Sequence, residues 1–381
     1  MIARADRFVS AGNSLTPLSA IATEKWRALA DQAVEPNGYY LPDWELAVNA
    51  SATGRTDALA LGAWSGVTGE RRLIALLPVI SAWRAYRLPL PALVSAHPYG
   101  TLTTPLLDRD MAKDAISSLI DQAHRAGARA LILRDMSLNG PAMKTINEVL
   151  AARGTPARVL QSYARASLDA TRDAEELLRE GLGAKKLKDL RRQRNRLAER
   201  GPVTFHVARS PDEVAAALEI FLALEASGWK ARRGTALAQD PGDAAFIRTA
   251  TTALAERRQC EIVTLSAGGT PVAAAIITRH LDRAFYFKLG IDERFAKYSP
   301  GVQLTLDVTR HLCADPAIAS ADSTASAGHP MIDPIWRERL HIGDVLIPLR
   351  PRDPAAALIH AALTLRWRVR DALRRVVEAF R

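Results

Sequence analysis

The sequence predicts a mixed α/β protein built as two tandem units, and three observations carry that prediction. Short strand patterns alternate with helical ones along the whole chain, whose 381 residues suit two domains better than one. The order of these elements in the first half recurs in the second. A basic helical stretch closed by Gly201-Pro202 stands between the two halves.

The recurring order can be read element by element. In the first half a helix over Pro42 to Ala50 precedes a strand over Asp57 to Trp64, with Leu59 and Leu61 on one face. A Gly-containing turn, Ser65 to Glu70, leads to a second strand between Arg71 and Trp83. Its apolar centre, Leu73 to Ile80, is far shorter than the roughly 20 residues of a membrane span and includes Pro78, so it reads as a buried strand. A third strand (Ala92 to Ala96), the loop His97-Pro98-Tyr99-Gly100, a helix (Arg109 to Ala126) and a fourth strand (Ala128 to Met136) complete the set. The second half repeats it: a helix over Ala244 to Arg257, strands Glu261 to Ser266 and Val272 to Thr278, and a strand over Ala284 to Ile291. The loop Tyr298-Ser299-Pro300-Gly301, a helix to Cys313 and a strand over Ile318 to Asp322 follow. Residue identity between the halves is negligible, so the repeat is one of element order, with units of about 160 residues. The boundaries expected are 1–165, 166–350 and a terminal helix over 351–381.

Gly183 to Arg200 holds eight Lys or Arg residues around Leu187, Leu190 and Leu197 at helical spacing. Such a helix can grip phosphate or nucleic acid, or pack by its Leu row and leave its charges in water. The scarcity of interleaved aromatics favours the second account. The segment after Pro354 is amphipathic too, with Leu358, Ile359, Ala362, Leu365, Val369, Leu373, Val376 and Phe380 on one face and arginines around them. It reads as a packed terminal helix, with docking to an anionic membrane surface or a synthase complex as the alternative.

The net charge of +10 suits anionic partners, and equally an Arg-rich surface with no particular partner. Two cysteines, Cys260 and Cys313, show no metal or disulfide spacing, and no metal is expected. The first residues lack the apolar core of a secretory signal, so a cytoplasmic, at most membrane-peripheral, protein is the expectation.

Strict alternation over Ala284 to Ile291 puts Phe285, Phe287, Leu289 and Ile291 on one face and Tyr286 and Lys288 on the other, where Lys288 can meet a carboxylate or a phosphate. In Tyr298-Ser299-Pro300-Gly301, Pro300 fits the first helical position and Ser299 the N-cap, which leaves free N–H groups able to hold an anion.

With these features in place, the second half resembles the GNAT-fold acyltransferases, and within them the branch of CelD-like cellulose-biosynthesis proteins and FemAB peptidyltransferases. The resemblance rests on the basic helix Lys185 to Arg200, the run Leu224-Glu225-Ala226-Ser227-Gly228-Trp229-Lys230, the Tyr298-Ser299-Pro300-Gly301 helix start, and the segments Asp322 to Ala325 and His329 to Arg339. FemAB-type proteins are tandem GNAT folds, so the resemblance implies that architecture for the whole chain. It also implies acetyl-CoA or another acyl-CoA as co-substrate, held by Lys288, Tyr298, Ser299 and Gly301 between splayed strands Val272 to Thr278 and Ala284 to Ile291. One departure stands out: the family's phosphate loop has several glycines, and here Gly301 stands alone.

In GNAT chemistry a neutral amine attacks a carbonyl polarised by a strand amide while a base takes the proton. Asp322, His329 and Glu225 are the candidate bases, against a turn-capping role for Asp322 and a loop-ordering role for His329. Trp229 and Lys230 fall where such folds place an acceptor-binding loop. Asp333, Trp336, Glu338 and Arg339 read as a polar cluster on one short helix, with Arg339 able to touch the acceptor. The first function expected is an N-acyltransferase of envelope or polysaccharide synthesis acting on a glycan or peptide acceptor. The alternatives are an aminoacyl-tRNA-dependent transferase and a non-catalytic partner of a synthase complex.

Overall fold

The computed structural model describes residues 15–66, 71–228 and 232–379. The first unit comprises β1 (Thr16–Pro17), α1 (Thr23–Asp31), α2 (Pro42–Ser51), β2 (Leu59–Ser65), β3 (Arg72–Ser81), α3 (Ala82–Tyr86), β4 (Ala92–Ser95) and β5 (Leu106–Leu107). It continues through α4 (Ala112–Arg125), β6 (Ala130–Ser137), α5 (Pro141–Ala152) and β7 (Arg158–Asp169). The second has α6 (Ala174–Ala198), β8 (Val203–Ala208), α7 (Pro211–Ser227), α8 (Pro241–Glu256), β9 (Cys260–Ala267), β10 (Thr270–His280) and β11 (Arg283–Ile291). After these come α9 (Pro300–Cys313), β12 (Ser320–Asp322), β13 (Glu338–Pro348) and α10 (Pro354–Ala379).

Local chemistry sets the helix starts. Proline opens α2, α5, α7, α8 and α9, where its missing N–H costs nothing. Ser210 and Glu213 close a reciprocal capping box at α7, and Asp240 accepts from the Gly242 and Asp243 amides at α8. Gly183, at φ 72°, breaks α6 just before the basic stretch, and Leu190 and Leu197 then bury the expected apolar row.

The thirteen strands of the described residues form one sheet, in the order β1-β2-β3-β4-β6-β13-β7-β12-β11-β10-β9-β8, with β5 beside β3. Read from its middle outwards, the sheet is nearly symmetric. In each unit two antiparallel strands lead to a third, which pairs in parallel with the strand after the next helix: β4 with β6, and β11 with β12. Each unit then sends its last strand to the other, so β13 lies between β6 and β7, and β7 between β13 and β12. Sequence reading passes over both exchanged strands and α5. The β7 sequence, RVLQSYARASLD, has no clean alternation, because burial there depends on a partner strand from the far end of the chain. The short helix expected around Asp333 to Arg339 is absent: Glu338 and Arg339 begin β13, while the preceding residues form turns around the buried Trp336.

One face of the sheet carries a single core shared by both units, with Trp26 and Trp44 from the first and Phe221 and Phe246 from the second. On the other face α6 and α9 cover the second unit, and α3 and α10 the first. Aromatic rings knit the junction: Trp44 meets Phe246 at 5.1 Å and Phe287 at 4.8 Å between centroids, both edge-on. Nearby, His280 of β10 accepts from the Asn37 amide at 2.8 Å and faces the Ala30 carbonyl at 3.0 Å. Burial lowers its pKa to about 4, so it is the neutral ring that bridges the units.

The terminal helix α10 packs differently from the expected apolar row. Ala356, Ile359 and Leu363 are buried, whereas Leu358, Leu365 and Val369 are 67%, 63% and 50% exposed. The side chains of Leu373 and Val376, and all of Phe380, lie outside the described residues. No described helix is long and apolar enough to cross a membrane.

Candidate active site at the junction of the two units

The strand β11 is the scaffold of the site, and a bulge decides what it presents. Its register with β10 slips between Ile276 and Ile277, so that Lys288 pairs with Ile276 and Tyr286 with Ile277, leaving Phe287 as the extra residue. An extra residue inverts the side-chain alternation beyond it. Phe285 and Phe287 therefore enter the shared core, while Leu289 and Ile291 pack with Tyr286 on the opposite side. Lys288, expected on the opposite face from Phe287, turns to Phe287's side, with Nζ 6.0 Å from that ring centroid.

The splay expected between β10 and β11 is absent. Val272 to Thr278 and Ala284 to Ile291 are paired along their length, from Ala273↔Ile291 to His280↔Arg283, and leave no gap. The parallel ladder of β11 and β12 instead ends after Arg283↔Ser320, Ala284↔Ala321 and Phe285↔Asp322, with Thr324 Oγ1 donating to the Tyr286 carbonyl at 2.7 Å. Lys288 stands three residues beyond that last pair.

Two residues singled out in sequence meet here. The Lys288 ammonium donates to Glu225 Oε1 at 3.2 Å, and the Leu237 amide donates to Glu225 Oε2 at 2.9 Å, which fixes a buried carboxylate on α7. Gly290 lets α7 come this close: a Cβ there would stand 3.0 Å from the Glu225 nitrogen. The first unit completes the group with Tyr99, whose ring lies 5.7 Å from the Lys288 ammonium and stacks on Phe246 at 5.0 Å. The Tyr99 hydroxyl donates to Asp243 of α8. Burial, followed by this bond to Asp243, raises its pKa and keeps the phenol protonated. Tyr99 and Asp243 escape sequence reading, though the backbone offers one signal, since Tyr99 sits at φ 62° in the Gly/Pro loop.

The other predicted residues lie elsewhere. Asp322 has no side-chain exposure and is held by Arg165 Nε at 2.7 Å and Nη2 at 2.5 Å, with the Thr324 amide at 2.8 Å. Its oxygens serve that anchor, and Arg165 carries it on to the first unit through the Thr101 carbonyl at 2.7 Å. The His329 Nδ1 accepts from the Met331 amide at 3.4 Å and orders its own turn. Arg339 bonds locally, to the Trp336 and Glu338 carbonyls. Trp229 and Lys230 lie outside the described residues.

At the start of α9, Pro300 holds the expected first position. Ser299, however, is left-handed (φ 52°, ψ 52°) and makes no side-chain cap. Gly301 faces inward, where a Cβ would stand 3.0 Å from Leu289 Cδ2 and 3.3 Å from Ile291 Cγ2, so it serves close helix–strand packing. Tyr298 lies beside Lys297, 5.0 Å from its ring centroid, and Arg200, which lowers the pKa of the phenol. These cations and the first amides of α9 are the groups able to hold an acyl carrier's phosphates. Among the described residues no cluster of His, Cys, Asp and Glu could hold a metal.

Comparison with known proteins bears on the fold. Residues 184–327 match the family model described as an acetyltransferase (GNAT) domain. The chain has a tandem GNAT-like fold. The solved structure of FemX superposes with a TM-score of 0.57 at 12% identity, over 89% of this chain and 98% of that one. The C-terminal domain of a protein named as a lysylphosphatidylglycerol synthetase from Agrobacterium fabrum gives 0.52 at 13%, over 90% and 96%. The structure of L-PGS from Bacillus licheniformis gives 0.51 at 13%, over 90% and 97%. No curated protein sequence matches.

Proposed function

We propose that this GNAT-type protein transfers an acyl group from acyl-CoA to an amine or hydroxyl acceptor of the cell envelope or a surface polysaccharide. The reacting centre is Lys288 with Glu225. One observation carries the reading: a buried carboxylate and an ammonium 3.2 Å apart stand just past the end of the β11–β12 ladder, faced by Tyr99 of the other unit. As the acceptor nitrogen or oxygen bonds to the acyl carbon, its proton passes to Glu225 Oε1. The Lys288 ammonium opposes the charge that grows on the carbonyl oxygen. Collapse breaks the carbon–sulfur bond, and the leaving thiolate takes up the proton. The likeness to FemX and to the lysylphosphatidylglycerol synthetase supports an envelope acceptor.

An aminoacyl-tRNA donor is the second reading, favoured by α6, on which Lys185, Lys186, Lys188, Arg191, Arg192 and Arg196 are exposed. Calorimetric titration with acetyl-CoA and longer acyl-CoAs, beside filter binding of aminoacyl-tRNA over a salt series, separates the two. Saturable binding of a CoA ester supports the first reading. Absence of such binding, with tRNA binding that falls steeply with salt, replaces it with the second. Gly301→Asp is a poor probe, since its side chain meets Leu289 before any phosphate.

A further inference from the structure

We propose that the first unit has a ligand site of its own, a cation-lined pocket that takes the phosphate or pyrophosphate group of a small molecule or lipid headgroup. The pocket encloses about 390 Å³ and opens where β4 and β6 part. That pair is held only over Ala92↔Ala130, Leu93↔Leu131 and Val94↔Ile132. By the near-symmetry of the sheet, His97, three residues past Val94, occupies the place that Lys288 occupies past Phe285.

Arg55, Arg84, Arg87, Arg134 and His97 line this pocket, and no acidic residue does. Two of the cations lack the partners that such groups ordinarily find. Arg134, half-buried on β6, has no hydrogen-bond or ion-pair partner for its guanidinium among the described residues. Arg55 has a buried Nε with no acceptor, although its Nη1 reaches the Thr53 carbonyl at 3.1 Å and its plane lies 4.2 Å from the Tyr99 ring centroid. Arg84 is fixed by the Thr56 and Asp57 carbonyls at 2.7 and 2.9 Å and pairs with the Asp57 carboxylate at 3.7 Å, and Arg87 is exposed at the end of α3.

His97 adds a neutral donor. Its Nδ1 accepts from the Tyr99 amide at 3.1 Å, so the neutral ring carries its proton on Nε2. Burial, together with repulsion from Arg134 and Arg55, drives its pKa down to about 3. Four arginines with few carboxylates near them, a buried Arg55 Nε without an acceptor and a neutral imidazole N–H describe a site shaped for a compact polyanion. The volume lies at the low end of small-molecule pockets. Phosphate is the group whose several oxygens could satisfy these donors together.

Both a soluble phosphorylated compound and a lipid headgroup present this chemistry. The terminal helix bears on the second, because Arg366 of α10 lies 5.8 Å from the ring of Tyr86, which neighbours Arg87. Tyr99 borders both this pocket and the Lys288 group, and the pocket is tested without acyl donor or turnover.

Inorganic pyrophosphate titrated calorimetrically into the full chain at low ionic strength should bind saturably. Arg134→Gln should weaken that binding about tenfold or more, the scale of losing a charge-assisted bond. Arg87→Asn, which suits the left-handed backbone at φ 58° and lies on the surface, should weaken it by about threefold while thermal unfolding is unchanged. Lys288→Gln should leave it unaltered. Absence of binding by the wild type, or wild-type affinity in both arginine variants, overturns the site. Wild-type affinity in the folded Arg87→Asn alone does so if Arg134→Gln fails to fold. Retention on phosphatidylglycerol vesicles, but not on phosphatidylcholine, that Arg134→Gln abolishes identifies the headgroup as the source. Retention that Arg134→Gln leaves intact leaves the soluble phosphate as the ligand.

Discussion

Removing the Asp322 carboxylate should unfold this protein more readily than it should slow any chemistry. Arg165 and Asp322 have no side-chain exposure and share two hydrogen bonds, at 2.7 and 2.5 Å. Arg165 lies on the exchanged strand β7 and also donates to the Thr101 carbonyl and hydroxyl at 2.7 and 2.8 Å. In Asp322→Ala the guanidinium keeps the Thr101 contacts and loses the carboxylate that neutralises it. Breaking a buried pair from one side costs about 3–5 kcal/mol, against a total stability of roughly 5–15 kcal/mol. Replacing both partners, as Arg165→Met with Asp322→Leu, leaves no buried charge. The Thr324 amide and the Thr101 carbonyl then lose partners at about 1 kcal/mol each. The double variant should therefore recover about 1–3 kcal/mol relative to Asp322→Ala, a coupling that urea unfolding at neutral pH, followed by tryptophan fluorescence and circular dichroism, can resolve. A loss below about 1 kcal/mol in Asp322→Ala, or a double variant as weak as the two singles summed, refutes this reasoning. An Asp322→Ala protein of full stability that cannot turn over would make Asp322 a catalytic group after all.

Three further outcomes follow from the same geometry. Lys288→Gln should lower the transfer rate about 10²- to 10³-fold, the usual scale for one lost oxyanion-stabilising donor, with the circular dichroism spectrum unchanged. His280 is neutral in the fold because burial lowers its pKa to about 4, while an unfolded chain has it near 6.5. Its contribution is present above about pH 6.5 and is lost as pH falls towards 4, so thermal unfolding of His280→Phe should show a flatter acid limb than the wild type. Finally, if α10 docks on an anionic membrane through Leu358, Leu365 and Val369, Leu365→Glu with Val369→Glu should abolish sedimentation with phosphatidylglycerol vesicles without changing the melting temperature.

Periodicity and punctuation determined much of this protein. The helices opened by proline, the strands over Leu73 to Ile80 and Ala284 to Ile291, and the basic helix stopped at Gly201-Pro202 were legible because local sterics and amphipathic spacing act over a few residues. The repeated element order was legible for the same reason. Tertiary structure decided what short range cannot reach. The exchange of β7 and β13 depends on residues nearly two hundred positions apart, and β7 has no alternation of its own to declare it. A bulge at Phe287 inverted the phase of a strand whose alternation looked clean, and it carried Lys288 onto the face where Glu225 and Tyr99 wait. Asp322, read as a candidate base from its place at a strand end, met Arg165 there because the exchanged strand brought a buried cation to it. Sequence fixes which side chains a strand offers; register and strand partner fix which of them meet.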